Sequence, residues 1–205
     1  MPVEVKGIKQ LRRDLKNFDP ELLKEMNAQL KAAMMPIAEA ARGFVPDIPA
    51  NLSRWERAPR KAPRVHPLYR AFPKFNAEVI RKGIVYRSGA NKANQNGFQA
   101  MFYIANTSAA GAIYETAGRK SPYGQPWQGP VMGGGGSKSY SHSSNPDAGT
   151  HFVQSMPPLY GTGKQRGRLI YKAWEKDQAK ATLGVIKAID KTVNAFNKNR
   201  YRLAA

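Results

Sequence analysis

The chain has 205 residues, and its 33 Lys and Arg outnumber 14 Asp and Glu for a formal net charge of +19. It contains no Cys and only His66, His142 and His151, which excludes disulfide frameworks, thiolate zinc sites and thiol nucleophiles. Apolar residues make up 41%, enough for a folded core, and no apolar run is long enough for a transmembrane helix. Residues 1–6 lack the apolar centre of a signal peptide, so a cytosolic origin is the default expectation.

Residues 3–6 alternate and end at Gly7, which predicts a short strand and a turn. Ile8, Leu11, Leu15 and Phe18 recur at steps of three and four, one apolar stripe on a first helix. Asp19 and Pro20 then read as the N-cap and first residue of a second helix. Its stripe runs through Leu23, Met26, Leu30, Met34, Ile37, Ala41 and Phe44, with a kink or break expected near residues 32–35 because Pro36 lies inside it. Residues 46–75 hold six of the 15 prolines and predict an extended arm. Trp55, Tyr69, Phe72 and Phe75 are interleaved with its basic residues. They read as pins that hold an irregular segment to a core or partner, in preference to stacking platforms for single-stranded nucleic acid.

Residues 77–87 read as a strand and residues 98–105 as a second, pairing as a long hairpin, with Gly83 a bulge or turn. Asn106, Thr107 and Ser108 supply capping groups for a short helix over residues 109–116. Residues 119–163 include four consecutive glycines and a serine-rich run, and predict a long flexible insertion in which Phe152, Val153, Met156, Leu159 and Tyr160 form one anchored patch. A terminal helix starts at Leu169, Ile170, Ala173 and Trp174 and continues through Ile186, Ile189, Val193 and Phe196. Gly184 weakens its middle, its opposite face carries Lys172, Lys176, Lys180, Lys187 and Lys191, and residues 198–205 are expected to fray.

The charge is uneven. Residues 51–75 carry seven basic groups and one acid, residues 164–205 eleven and three, and the insertion between them is nearly neutral. Such a field attracts polyanions, either nucleic acid or an acidic protein surface. Enzymatic signatures fail when tested. Gly163 and Lys164 are followed by Gln165 where a phosphate-binding loop needs Ser or Thr, and no HExxH or GxSxG occurs. Glu115 is one isolated acid in an apolar stretch, and reads as a capping or interface acid rather than a catalytic one.

The order of pieces carries a resemblance. The run from Val5 through Gly7 to Leu11 leads to a long helix ending Ala40-Ala41-Arg42-Gly43-Phe44-Val45-Pro46. Ala112-Ile113-Tyr114-Glu115-Thr116-Ala117-Gly118 follows the central strands, and Gly167-Arg168-Leu169-Ile170-Tyr171-Lys172-Ala173 opens the terminal helix. This layout resembles the tail-completion proteins of long-tailed bacteriophages, also called head–tail joining or neck proteins, over much of the chain. Asn51-Leu52-Ser53-Arg54 stands where that family often has Thr-Gly and Leu-Arg pairs, and the 119–163 insertion is long.

The resemblance implies an α+β fold, a small antiparallel sheet packed by N-terminal and C-terminal helices, in one domain spanning residues 1–205 with the 46–75 arm and the 119–163 loop. It implies a non-enzymatic virion protein without cofactors, assembled in the host cytoplasm. As in tail terminators, a homo-oligomeric and commonly hexameric ring would cap the tail tube and dock it to the head connector or stopper. Transient contact with genomic DNA is a further expectation; a membrane partner is not. A different connector ring, stopper or adaptor, and a free basic nucleic-acid-binding protein stay open as alternatives. Candidate interface or DNA-facing residues are Arg54, Arg57, Arg60, Lys61, Arg64 and Arg70 in the arm, and Lys164, Arg166 and Arg168 before the terminal helix.

Overall fold

The computed structural model describes residues 7–48, 55, 73–88, 100–123, 145–163 and 165–203. The expected strand at residues 3–6 lies outside them. Helix α1 (Ile8–Phe18) and helix α2 (Pro20–Gly43) meet at Asp19, whose Oδ1 accepts the Leu22 amide at 3.0 Å while its own amide donates to the Leu15 carbonyl. One residue therefore ends the first helix and caps the second, as its side chain and the following Pro20 predict. Leu15 is fully buried, but Phe18 is 75% exposed and does not join the stripe. Helix α2 continues unbroken through Pro36, so the expected break is not found. Burial of Met34, Ile37, Ala38 and Ala41 on either side of the proline ties both halves to the core.

Helix α6 (Ile170–Leu203) is 34 residues long and runs antiparallel to α2. Asn199 donates to Asp19, Lys191 to Glu25, and the Lys172 ammonium sits 4.3 Å from the Phe44 ring centroid, so the contacts descend one helix as they climb the other. Gly184 faces Ala33 midway, where an added Cβ would stand 3.0 Å from the Ala33 Cβ. The glycine that weakens the helix alone lets the two helices approach closely there. The buried side of α6 is Ala173, Ala181, Val185, Ala188, Ile189, Thr192 and Phe196; Ile186, expected in the apolar stripe, is 42% exposed and lies off that side. The helix extends to Leu203 rather than fraying from residue 198.

The stretch expected as one strand over residues 77–87 divides into α3 (Ala77–Gly83) and β1 (Ile84–Ser88). The helix wins locally because the Asn76 side chain accepts the Val79 amide at 3.0 Å, Glu78 lies in the first turn, and Arg81 and Lys82 lie in the last. Strand β1 pairs antiparallel with β2 (Phe102–Asn106) in the register Ile84 to Asn106 and Tyr86 to Ile104, so the expected hairpin is present over these residues. Arg42 of α2 donates twice to the Ile84 carbonyl, which fixes the ribbon to the end of the helix pair.

Helix α4 (Ala109–Thr116) matches its predicted limits. Asn106 Oδ1 accepts from the Ser108 amide and hydroxyl, and Ser108 Oγ caps Gly111 at 3.1 Å. Within the segment expected as an unstructured insertion stand α5 (Ala148–Gln154) and β3 (Tyr160–Thr162), which pairs with β4 (Gln165–Gly167). Gly163 has φ +55°, a left-handed value suited to the tight turn between these strands. Of the patch expected there, Met156 is buried and Phe152 packs against the core. The architecture is α+β, with six helices and two separate antiparallel ribbons among the described residues.

Candidate functional site

The terminal helix α6 begins at Ile170 without Ser, Thr, Asp or Asn in the three residues before it. Its first amides need an acceptor from elsewhere. Glu115, the next-to-last residue of α4, supplies it. Oε2 accepts the Leu169 amide at 2.6 Å, and Oε1 accepts those of Ile170 and Tyr171 at 3.1 and 3.2 Å. The carboxylate also meets the positive end of the helix dipole. Glu115 is only 5% exposed.

The reverse connection comes from Arg168, two residues before α6. Its Nη1 donates to the carbonyls of Tyr114 and Ala117 at 3.0 and 2.8 Å, and its Nε donates to the Pro157 carbonyl. These carbonyls at the end of α4 have no onward helical partner, and a cation there complements the dipole. The acid of α4 thus caps α6 while the guanidinium before α6 caps α4. Burial pushes the Glu115 pKa above the ordinary carboxylate value, opposed by the three amides and the Arg119 charge; burial likewise lowers that of Arg168.

Two further features hold this joint. Gly167 leaves room for the carboxylate, since a Cβ there would overlap Glu115 Oε1. Arg119 lies 5.1 Å from the Tyr171 ring centroid, and its carbonyl accepts from Arg166 Nη2 at 3.0 Å. Beside the joint is an aromatic cluster. Trp55 packs on Phe75, Phe152 and Tyr114 at centroid distances of 5.2, 5.1 and 6.4 Å. Its indole donates to the Pro73 carbonyl and its own carbonyl accepts the Phe75 amide. Trp55 and Phe75 of the basic proline-rich segment are therefore fastened to the body, as their pinning reading expects. Burial raises the Tyr114 pKa.

The candidate contact residues fall unevenly. Arg54, Arg57, Arg60, Lys61, Arg64, Arg70 and Lys164 lie outside the described residues, as do Tyr69 and Phe72. Arg166 is half-buried. Arg168 corrects the expectation: it is 5% exposed with its guanidinium taken by three carbonyls, so it faces neither DNA nor a partner. Sequence reasoning found Glu115 as a capping acid but not its recipient. The signal was the missing local N-cap at residues 167–169.

This site holds and orients; its carboxylate is already committed to three amides. Among the described residues no group of His, Cys, Asp and Glu is placed to hold a metal ion, and no helix is long and apolar enough to cross a membrane. No protein-family model, no curated protein and no solved structure matches the chain.

Proposed function

We propose that this chain is an architectural subunit of the head–tail junction of a tailed bacteriophage. It assembles into a ring, commonly six-fold, that caps the tail tube and docks it to the head connector, and it catalyses no reaction. The observation that carries this reading is the order of elements. Two N-terminal helices, an antiparallel hairpin, a short helix bearing Glu115 and the long helix α6 occur in the order of the tail-completion layout that the sequence resembles, with α3 before the hairpin and α5 and the β3–β4 ribbon before α6.

The geometry around that order supports assembly. Both strands of the β1–β2 ribbon have an unpaired edge among the described residues, a surface suited to addition of a neighbour. A closed ring joins unlike patches of successive subunits, so it accommodates a basic segment fastened at Trp55 and Phe75 that meets a different face of the next copy. The committed Glu115 fits a role in fixing elements, since its hydrogen bonds go to backbone amides rather than to a cleft.

The test is assembly with purified tail-tube protein, followed by light scattering and negative-stain electron microscopy. The expected result is a ring of this chain at one end of tubes of uniform length. Monomers that leave tube length and tube ends unchanged at all protein ratios would refute the proposal.

A further inference from the structure

Helix α6 buries one side through Ala181, Val185, Ala188, Thr192 and Phe196, while Leu183 and Ile186 are exposed. At about 100° per residue, Lys176, Lys180, Lys187, Lys191 and Lys198 fall in one narrow stripe on the other side. All five are exposed. From Lys176 to Lys198 the row spans about 33 Å of helix axis. Lys191 pairs with Glu25 at 2.8 Å, and the other four make no ion pair among the described residues. The acids Asp177 and Asp190 lie about 40° beyond the two edges of the stripe, and Glu175 about 100°. Lys172, one turn earlier, is not part of it, because its ammonium lies 4.3 and 4.8 Å from the Phe44 and Tyr160 ring centroids.

We infer that this lysine row is a contact surface for the phosphate backbone of a nucleic-acid duplex. A straight row of one sign matches a rigid, linear lattice of anions. Lysine supplies compact, strongly hydrated charges on flexible stems, suited to phosphates irrespective of sequence, whereas arginine forks suit base reading. Single strands are gripped by aromatic stacking, and the described aromatic side chains of α6, Tyr171, Trp174 and Phe196, are half-buried or buried. The inference goes beyond the ring proposal and does not need it, since the row lies on one copy of the chain.

The test is fluorescence anisotropy of the full-length protein with a labelled duplex of about 20 base pairs, longer than the row, in about 50 to 200 mM NaCl. The comparison protein carries Lys176→Gln, Lys180→Gln, Lys187→Gln and Lys198→Gln. Each phosphate contact contributes about 0.9 to the slope of log affinity against log salt, so the variant should lose about 3.6 from that slope and bind about tenfold or more weakly at low salt. Its melting curve should match the wild type, because all four side chains are exposed. Unchanged slope and affinity would overturn the inference by placing the duplex elsewhere on the chain. A variant that loses binding to poly-L-glutamate but not to the duplex would also overturn it, in favour of an acidic protein partner. Failure to form rings would leave these outcomes unaltered.

Discussion

Replacing Glu115 by alanine tests the capping joint most directly. The carboxylate satisfies the amides of Leu169, Ile170 and Tyr171 in a site where it is itself 5% exposed. One buried donor left without a partner costs about 1–3 kcal/mol, and loss of an N-cap alone costs about 1–2 kcal/mol. Water entering the small cavity recovers part of three such losses, so we expect about 3 kcal/mol from Glu115→Ala. For a chain of this length that is a fall in Tm of roughly 6–12 °C. Glu115→Gln preserves shape and one accepting oxygen but turns an NH2 toward backbone donors, and should lose about half as much. Urea unfolding followed by far-ultraviolet circular dichroism measures both. Glu175→Ala, at an exposed position on α6, is the control. A loss below about 1 kcal/mol for Glu115→Ala, with the control unchanged, would refute the claim that this carboxylate organises the start of α6.

Other outcomes follow from the same contacts. Because burial raises the folded-state pKa of Glu115 above its unfolded value near 4.5, the folded chain takes up that proton first. The stability of wild type relative to Glu115→Gln should therefore grow as pH falls from neutrality toward about 4.5, and the opposite slope would show that the three amides outweigh burial. Gly167→Ala pushes its methyl group into Glu115 Oε1, so it should destabilise about as much as Glu115→Ala, and the double variant should fall well short of the sum by the same urea assay. Gly184→Leu inserts a branched side chain where even a Cβ lies 3.0 Å from Ala33, and should cost about 1–3 kcal/mol by separating α2 from α6. Trp55→Ala removes an indole that is 7% exposed together with its bond to Pro73, and should cost about 3–5 kcal/mol in the same measurement.

Much of this fold is legible in local sequence because local chemistry decides it. Asp19-Pro20 starts α2, and Asn106-Thr107-Ser108 starts α4 at its predicted residue. The hairpin follows from two β-prone runs around a turn-forming stretch. The differences arise where two signals compete. Val79, Ile80, Ile84 and Val85 all favour a strand, but Asn76 captures the Val79 amide, and the first half of that run coils into α3. Composition misleads over residues 119–163, where glycine and serine hide the tight turn at Gly163 that lets β3 and β4 pair.

The joint itself was half legible. Glu115 stands out as a lone acid, but its recipient lies 54 positions away at Leu169, and nothing local in either segment names the other. The same distance explains Arg168. Its charge suggests a surface, and only the approach of α4 supplies the carbonyls that draw it inward. Gly184 shows a third case, in which a poor helix former is chosen for a neighbour that sequence spacing does not reveal.

The pairing of α2 with α6 also bears on how the chain leaves the ribosome. Met26, Leu30 and Met34 are made well before the helix that covers that side, which begins only at Ile170. Until α6 has been made, this greasy strip has no native cover. Expression cut short before α6 should consequently yield aggregates, and a holding chaperone would have its natural binding place on α2.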